Sequence, residues 1–334
     1  MAVSAVLNGA RTSSRISTQT QERILEAAKQ LNYRPNGAAR ALAARRMNTI
    51  GVAMVVDGGE LNTYFLEVFN GVLEGAAARN QNTTVFALHD WANDATTRLP
   101  RFCDGRIDGM ILMAPLLKTE HDRPLPDDTP FVTIHSNVPL SGVVNLETDE
   151  ENGAYQLVRE LIRRGHSRLL YVTGDRGQRG AERRIRGFQR ALVDGGITFH
   201  EELLVNAAYN TYAGRTAIRE WLERNGRRNL PDAIFCGNDS SAVGVLEALS
   251  EAGVSVPDDV SVAGFDDSLA ARTTSPQLTT VRQPLREMGR RAVEALLRKI
   301  HGDHEHTMAD AQPSIVFPTE VVFRASVRDR RGGA

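Results

Sequence analysis

Polar and aromatic side chains gather at one recurring place in this 334-residue sequence, just past short apolar runs. Asn62-Thr63-Tyr64-Phe65 comes after the run at 49–56, and Thr148-Asp149 opens a helical pattern. Gly174-Asp175-Arg176 and then Arg183-Arg184 follow 168–173, Gly237-Asn238-Asp239 follows 232–236, and Phe265-Asp266-Asp267 follows 260–264. Tyr209 falls in a loop between two such units. Carboxylates, an amide and an arginine can hydrogen-bond hydroxyls or heteroatoms while aromatic faces stack on a ring, so the mix suits a polar ring ligand. Each residue also has a plainer reading. Asn or Asp after a strand is often only a helix N-cap, and Asn238-Asp239 could merely cap a helix over 240–252. Arg184 could pair with a surface acid, and Tyr64 and Phe65 could be core. Their shared position at strand ends favours a site.

Signals for catalysis are weak. The sequence has no G-x-S-x-G elbow, P-loop or G-x-G-x-x-G, and GDRGQRG at 174–180 fits neither phosphate motif. Asp266 and Asp267 are adjacent, so in an extended segment their side chains diverge, which is poor geometry for a paired acid and base. His301, His304 and His306 in HGDHEH look like a metal cluster, but with no Cys and no helical H-x-x-x-H placement a solvated connection is the better reading. We therefore expect no enzyme, no metal and no cofactor. Cys103 and Cys236, far apart, read as free thiols in a reducing cytosol.

The elements that must position these residues are legible from periodicity. Apolar, β-branched runs at 49–56, 83–88, 107–113, 131–135, 168–173, 232–236 and 260–264 predict strands. Helical patterns alternate with them at 63–79, 150–164, 181–195, 212–225, 240–252 and 285–300. Continuous apolar strands between helices imply parallel sheets covered on both faces. The fold class expected is α/β, two doubly wound parallel-sheet halves dividing near 146–149. In such sheets ligands sit at the carboxyl ends of strands.

Residues 1–46 read differently. Ser17 and Thr18 offer an N-cap, Thr18 with Gln21 fits a capping box, and Ile24, Leu25, Ala28 and Leu31 share a helical face. Asn32-Tyr33-Arg34-Pro35-Asn36 stops that helix, and an alanine- and arginine-rich segment at 37–46 follows, too short and too poor in large apolar groups to order by itself. The formal net charge of −1 hides an asymmetry: residues 1–46 carry eight Lys/Arg and two acids, +6, leaving 32 basic and 39 acidic residues, −7. A basic head on an acidic body suggests polyanion binding, although a solvated helical face would also account for it. The longest apolar stretch, 50–56, is far too short to cross a bilayer, and no secretory signal is visible, so no membrane partner and a cytoplasmic location are expected.

These stretches resemble the lactose-repressor family of bacterial transcription regulators, over nearly the whole chain. VSAVLNG at 3–9 and TQERILEAAKQLNYRPNGAARALA at 20–43 look like the end of a recognition helix, a third helix and a hinge helix. IGVAMVV, RIDGMIL, RRGH at 163–166, RIRGF, FCGNDSSAVG, VSVAGFDD and SPQLTTVRQP at 275–284 follow the family's order, with NYRPN and PQLTTVRQP the most specific. The resemblance implies a helix-turn-helix head and hinge over 1–46 and a body like periplasmic sugar-binding proteins, crossed three times by the chain. It places 49–148 plus 281–308 in one subdomain and 149–278 plus 312–326 in the other. It implies an effector cleft with Tyr64 and Phe65 lining one side, Asp149, Arg184, Asn238 and Asp266 as polar contacts, and Tyr209 packing on the ligand. It also implies a homodimer, operator DNA met by Ser4, Asn8, Arg11 and Asn36, and a Leu42 wedge in the minor groove with Ala39 beside it.

The resemblance departs at Met1, which falls inside the recognition helix. A helix-turn-helix needs its first helix to brace the second, so the head is expected to be partly unfolded, with either a start placed too late or specific DNA binding lost. Three rivals stand beside a repressor: an enzyme on a doubly wound fold, which the lack of any nucleophile or phosphate motif argues against, a truncated regulator that binds ligand and dimerises but cannot read DNA, and a solute-binding protein. The absent signal peptide and the +6 head count against the last.

Overall fold

The computed structural model describes residues 2–8, 16–33, 41, 46–56, 62–117, 125–302 and 314–331. Two six-stranded sheets form the body, each with its own buried core. The first runs β11-β5-β4-β3-β1-β2, where β1 is Thr49–Val55, β2 Asn82–Leu88, β3 Gly109–Met113, β4 Phe131–Ile134, β5 Val144–Thr148 and β11 Ser314–Phe317. The second runs β12-β10-β9-β8-β6-β7, with β6 Leu169–Thr173, β7 Leu204–Asn206, β8 Ala233–Cys236, β9 Ser261–Asp266, β10 Thr279–Arg282 and β12 Glu320–Val322. All pairings are parallel except β10 with β12. In β1, Ile50 to Met54 are all buried, because helices cover both faces and the run can be apolar without alternation.

The head contains α1 (Ala2–Asn8) and α2 (Thr18–Gln30). In the body, α3 is Thr63–Ala77, α4 Trp91–Thr97, α5 Leu99–Phe102, α6 Glu150–Arg163, α7 Arg179–Asp194, α8 Thr211–Asn225, α9 Asp239–Glu251, α10 Leu269–Thr273 and α11 Leu285–His301. Helix α11 packs on α3, and a Cβ at Gly71 would collide with the backbone of Arg286, while one at Gly289 would collide with that of Val68. These two glycines set how closely the helices approach.

The chain crosses between sheets after Thr148, between Arg282 and Leu285, and between Phe317 and Glu320. The crossings are tied together: Asp149 N–H donates to Phe317 O at 2.9 Å, and the Thr148 hydroxyl donates to Gln283 Oε1 at 2.5 Å. Two expected boundaries are corrected. Residues 314–317, expected in the second half, add an edge strand to the first sheet beside β5. Residues 281–282, expected in the first half, finish β10 beside β9.

Three strands of the body do not stand out as apolar runs, and for two of them the reason is hydrogen bonding. In β5 the buried Asn145 accepts from Thr133 Oγ1 at 2.9 Å and donates to Glu147 at 3.0 Å, so polar residues occupy an interior strand. In β10 the buried Thr280 hydroxyl donates to Asp239 at 2.7 Å. The third, β7, is only three residues long.

In the head, Ser17 is the cap of α2, accepting from Thr20 N–H at 3.3 Å. The expected pairing of Thr18 with Gln21 is replaced: Gln21 reaches back to Ile16 O at 3.2 Å. The head was expected to be partly unfolded; α1 and α2 are both formed, yet no residue of α2 is buried, and Leu25 and Leu31 are exposed. Of the second helical segment expected at 37–46, only Ala41 and Arg46 are described, joined by a hydrogen bond from Arg46 N–H to Ala41 O at 3.1 Å.

Candidate functional site

The strand ends of both sheets face one cleft. Its centre is Arg184 on α7, 6% exposed, whose guanidinium pairs with Glu150 at 2.7 Å. The same guanidinium donates to Gly237 O and lies 4.2 Å from the Phe265 ring centroid and 5.4 Å from that of Tyr209. Burial opposes the charge, but Tyr209, Glu150 and Asp266 hold Arg184 above its ordinary value. Burial likewise pushes against the Glu150 carboxylate, and Arg184 overcomes it, leaving Glu150 below the usual carboxylate range.

Tyr209 lies at the end of a tight turn with φ +59°. Its ring lies against Gly174 and Gly237, and a Cβ on Gly174 would occupy the ring's place. Burial pushes the Tyr209 phenol up to about 12. Asn238 holds that turn: its amide donates to Tyr209 O at 2.9 Å, and its oxygen caps α9 by accepting from Ser241 N–H at 2.9 Å. The capping alternative for Asn238 is therefore realised, and the same side chain also fixes Tyr209.

Asp266 ends β9 with φ +127° and is 2% exposed. Its Oδ1 accepts from Gln283 at 2.7 Å, and its Oδ2 has no partner. Burial, then the nearby Asp239, raise Asp266 well above the carboxylate range. Asp239 accepts from Thr280 Oγ1, Ser268 N–H and Ser268 Oγ at 2.7, 2.8 and 3.0 Å. Those three donors stabilise charge on Asp239, so of the two carboxyls Asp266 holds its proton the more readily.

On the opposite side Tyr64 and Phe65 begin α3, ring edge to ring face at 5.2 Å. Asn62 caps that helix by accepting from Phe65 N–H at 3.1 Å. The Tyr64 hydroxyl lies 2.6 Å from His135 Nδ1, and His135 Nε2 lies 3.2 Å from Thr148 Oγ1. Thr148 spends its one proton on Gln283, so His135 Nε2 must donate to Thr148 and Nδ1 must accept from Tyr64. Burial keeps His135 below its ordinary pKa, which suits this neutral tautomer, and holds the Tyr64 phenol well above its own. The result is one directed chain of hydrogen bonds, Tyr64 to His135 to Thr148 to Gln283 to Asp266. It starts in one sheet's layer, passes through two crossings and ends in the other. His135, Tyr209 and Asp266 all have positive φ, and backbone strain of about 1–3 kcal/mol per such residue collects where function requires it.

The lobes also touch at the cleft's rims. Thr63 Oγ1 donates to Ser268 Oγ at 3.1 Å, Arg183 donates to Glu147 at 3.1 Å, and Arg179 N–H donates to Asn137 Oδ1 at 2.6 Å.

Six of the seven residues expected in the cleft thus meet: Tyr64, Phe65, Arg184, Tyr209, Asn238 and Asp266. Asp149 does not. It is exposed, caps α6 through Asn152 N–H at 3.2 Å, and borders an outer hollow with Glu151, Arg186 and Arg190. The next residue, Glu150, turns inward, because a helix advances about 100° per residue. Sequence reading also missed Tyr171, His135 and Gln283, and noted Thr148 only as the opening of a helical pattern. A tyrosine within the otherwise apolar LLYV was the one available signal; its ring stacks on Phe235 at 4.4 Å and its hydroxyl is buried without a partner.

Arg11, Asn36, Ala39 and Leu42 lie outside the described residues, as do the side chains of Ser4 and Asn8, whose backbone belongs to α1. His304 and His306 also lie outside them. Among the described residues no cluster of metal-ligating side chains occurs and no helix is long and apolar enough to cross a membrane.

Residues 1–36 match the family described as bacterial regulatory proteins, lacI family, and residues 158–327 match a periplasmic binding protein-like domain. The HTH-type transcriptional repressor PurR of Aliivibrio fischeri (strain ATCC 700601 / ES114) is 31% identical over 98% of this chain and 94% of its own. The ribose operon repressor of Haemophilus influenzae (strain ATCC 51907 / DSM 11121 / KW20 / Rd) is 29% identical over 97% and 94%. Among solved structures, the transcriptional regulator CelR–cellobiose complex aligns with a TM-score of 0.71 at 27% identity, covering 97% of this chain and 94% of that one. The lac repressor dimer bound to operator and the anti-inducer ONPF shares the fold, with a TM-score of 0.82 at 23% identity and coverage of 98% and 94%. A two-sheet body with a cleft at the strand ends, a helical N-terminal segment and near-full-length relatives agree on one assignment: the chain belongs to the lacI family of bacterial regulatory proteins.

Proposed function

We propose that this protein is a transcriptional repressor whose grip on operator DNA is set by a small neutral, sugar-like effector held between its two lobes. The observation that carries the effector site is a set of buried polar atoms without partners: Tyr171 Oη, Arg184 Nε, Tyr209 Oη and Asp266 Oδ2. Leaving such atoms unpaired costs about 1–3 kcal/mol each, and a ligand with several hydroxyls supplies donors and acceptors to all four. Arg184 is already neutralised by Glu150, and Arg179 and Arg183 pair with Glu147, so among the described residues these arginines are not free for an anionic effector. Tyr209 and Phe65 provide faces for a ring.

The protein acts in the cytoplasm as a homodimer. The basic segment 1–46 meets DNA, with Ser4, Asn8, Arg11 and Asn36 as contacts and Leu42, beside Ala39, as the minor-groove wedge. Closing the lobes on an effector moves one sheet against the other and so biases the hinge, with the coupling of about 1–3 kcal/mol typical of allosteric proteins. The directed chain from Tyr64 to Asp266 makes two of the three crossings part of the ligand's environment, so filling the cleft also sets the hinge between lobes.

Calorimetry of the whole chain against ribose, cellobiose, glucose and a purine base tests this reading. A neutral sugar is expected to bind the parent, and Asp266→Ala is expected to abolish that binding without unfolding the body. Binding of the purine base alone, or unchanged affinity in Asp266→Ala, refutes it. In the DNA arm, Leu42→Ala is expected to weaken binding to duplexes that the parent selects from a random pool, and equal binding rejects the wedge.

A further inference from the structure

The backbone that leaves the hinge segment enters the body through a clamp built on one carboxylate. Asp108 lies just before β3, half-buried, next to the point where residues 46–49 join β1. Its Oδ1 accepts from Met47 N–H at 2.7 Å and its Oδ2 from Thr49 N–H at 3.2 Å. Its own N–H returns the contact, donating to Thr49 O at 2.8 Å. Asn82 N–H holds Asn48 O at 2.7 Å, and the Thr49 hydroxyl donates to Met47 O at 3.1 Å. Between the two clamped amides Asn48 takes φ +49°, so the chain turns sharply where it is gripped. The turn begins one residue after Arg46, whose N–H donates to Ala41 O.

We propose that Asp108 is the positioning residue that mounts the hinge segment on the body, fixing the direction in which the chain leaves it at Met47. A carboxylate suits this task because its two oxygens take one amide each through charge-assisted bonds, which are about twice as strong as those of a neutral acceptor. The tie is also rigid on the body side, since Ile107 and Gly109 beside Asp108 are buried. Motion of the first lobe therefore reaches the hinge through two hydrogen bonds rather than through a loose tether. The inference rests on the reading that the segment 1–46 meets DNA.

The test compares the full chain with its Asp108→Ala and Asp108→Asn variants. Hydrogen exchange is followed at the Met47 and Thr49 amides, and affinity is measured for duplexes that the parent has selected from a random-sequence pool. In Asp108→Ala both amides are expected to exchange at least about tenfold faster and duplex affinity to fall about tenfold, as loss of charged hydrogen bonds implies. The denaturation midpoint read from Trp91 fluorescence, in the same lobe, with all variants in a Trp221→Phe background, is expected to stay near that of the parent. Asp108→Asn keeps one acceptor and should restore protection at one amide and part of the affinity. Unchanged exchange in Asp108→Ala overturns the clamp. Faster exchange with parental duplex affinity overturns the positioning role, as does a fall in affinity that merely tracks a fall in the Trp91 midpoint. If the parent selects no duplex at all, the reading of the head fails, and the exchange data then show the clamp as a structural tie only.

Discussion

Replacing Arg184 with methionine is the sharpest test of the cleft's electrostatics. The side chain keeps its bulk and loses its charge. Glu150, 4% exposed, is then left without its partner at 2.7 Å, and breaking a buried ion pair from one side costs about 3–5 kcal/mol. The loss should fall near the top of that range, because Gly237 O also loses its donor and the Phe265 face loses its cation at 4.2 Å. Against a total stability of about 5–15 kcal/mol, this is a large fraction of the second lobe's reserve. At about 2–4 °C per kcal/mol, its melting transition should drop by roughly 8–20 °C. Adding Glu150→Leu removes the orphaned charge, and an apolar pair in place of a buried ion pair is often neutral or stabilising. The double variant should therefore recover at least about 2 kcal/mol, short of full recovery because Gly237 and Phe265 stay unserved. Trp221 lies in the second lobe and Trp91 in the first, so urea denaturation read by Trp221 fluorescence in a Trp91→Phe background reports the correct half. Both variants should lose effector binding, separating stability from recognition. A single-variant loss below about 1 kcal/mol, or a double variant no more stable than the single, would show that Arg184 and Glu150 do not depend on each other as the geometry requires.

Two further outcomes follow from the same site. Gly174→Ala should displace the Tyr209 ring, since the new methyl falls where the ring lies; effector affinity measured by calorimetry should drop at least about tenfold, and parental affinity would mean that the ring does not touch the ligand. The acid groups also give a directional pH dependence. Burial raises Asp239 to about 6 and Asp266 further above its ordinary value. For groups raised on folding, the stabilisation is complete below the unfolded pKa near 4 and is lost as pH rises through the folded one, so stability should decline by about 1–3 kcal/mol from pH 5 to 7. Asp266→Asn should flatten that limb in denaturation curves taken across the range, and a flat parental profile would contradict the raised carboxyls. The opposite limb belongs to Glu150, Asp94 and Asp232, held below the ordinary carboxylate range despite burial, whose contribution is present above pH 4 and fades as pH falls through their folded values.

Composition and periodicity alone determined a good deal. The seven apolar runs and six long helical patterns became strands and helices within a few residues of their expected ends, because side-chain period and continuous burial are local properties of the chain. The break near 146–149 was legible for the same reason. So was the gathering of Tyr64, Phe65, Arg184, Tyr209, Asn238 and Asp266, since in parallel sheets every strand end points to the same edge. What only the tertiary structure decided depends on which way a side chain turns and what waits there. Asp149 and Glu150 are adjacent and chemically alike, yet one caps a helix in solvent and the other neutralises Arg184. The polar strand Val144–Thr148 gained its place from partners such as Thr133, and Ser314–Phe317 joined the first sheet because β5 offered an open edge. His135 and Gln283 became links between the lobes only when the crossings brought them together, and Asp108 became a clamp because β3 runs alongside β1. Contacts between residues far apart in sequence follow from how the sheets close on one another, and no local pattern encodes them.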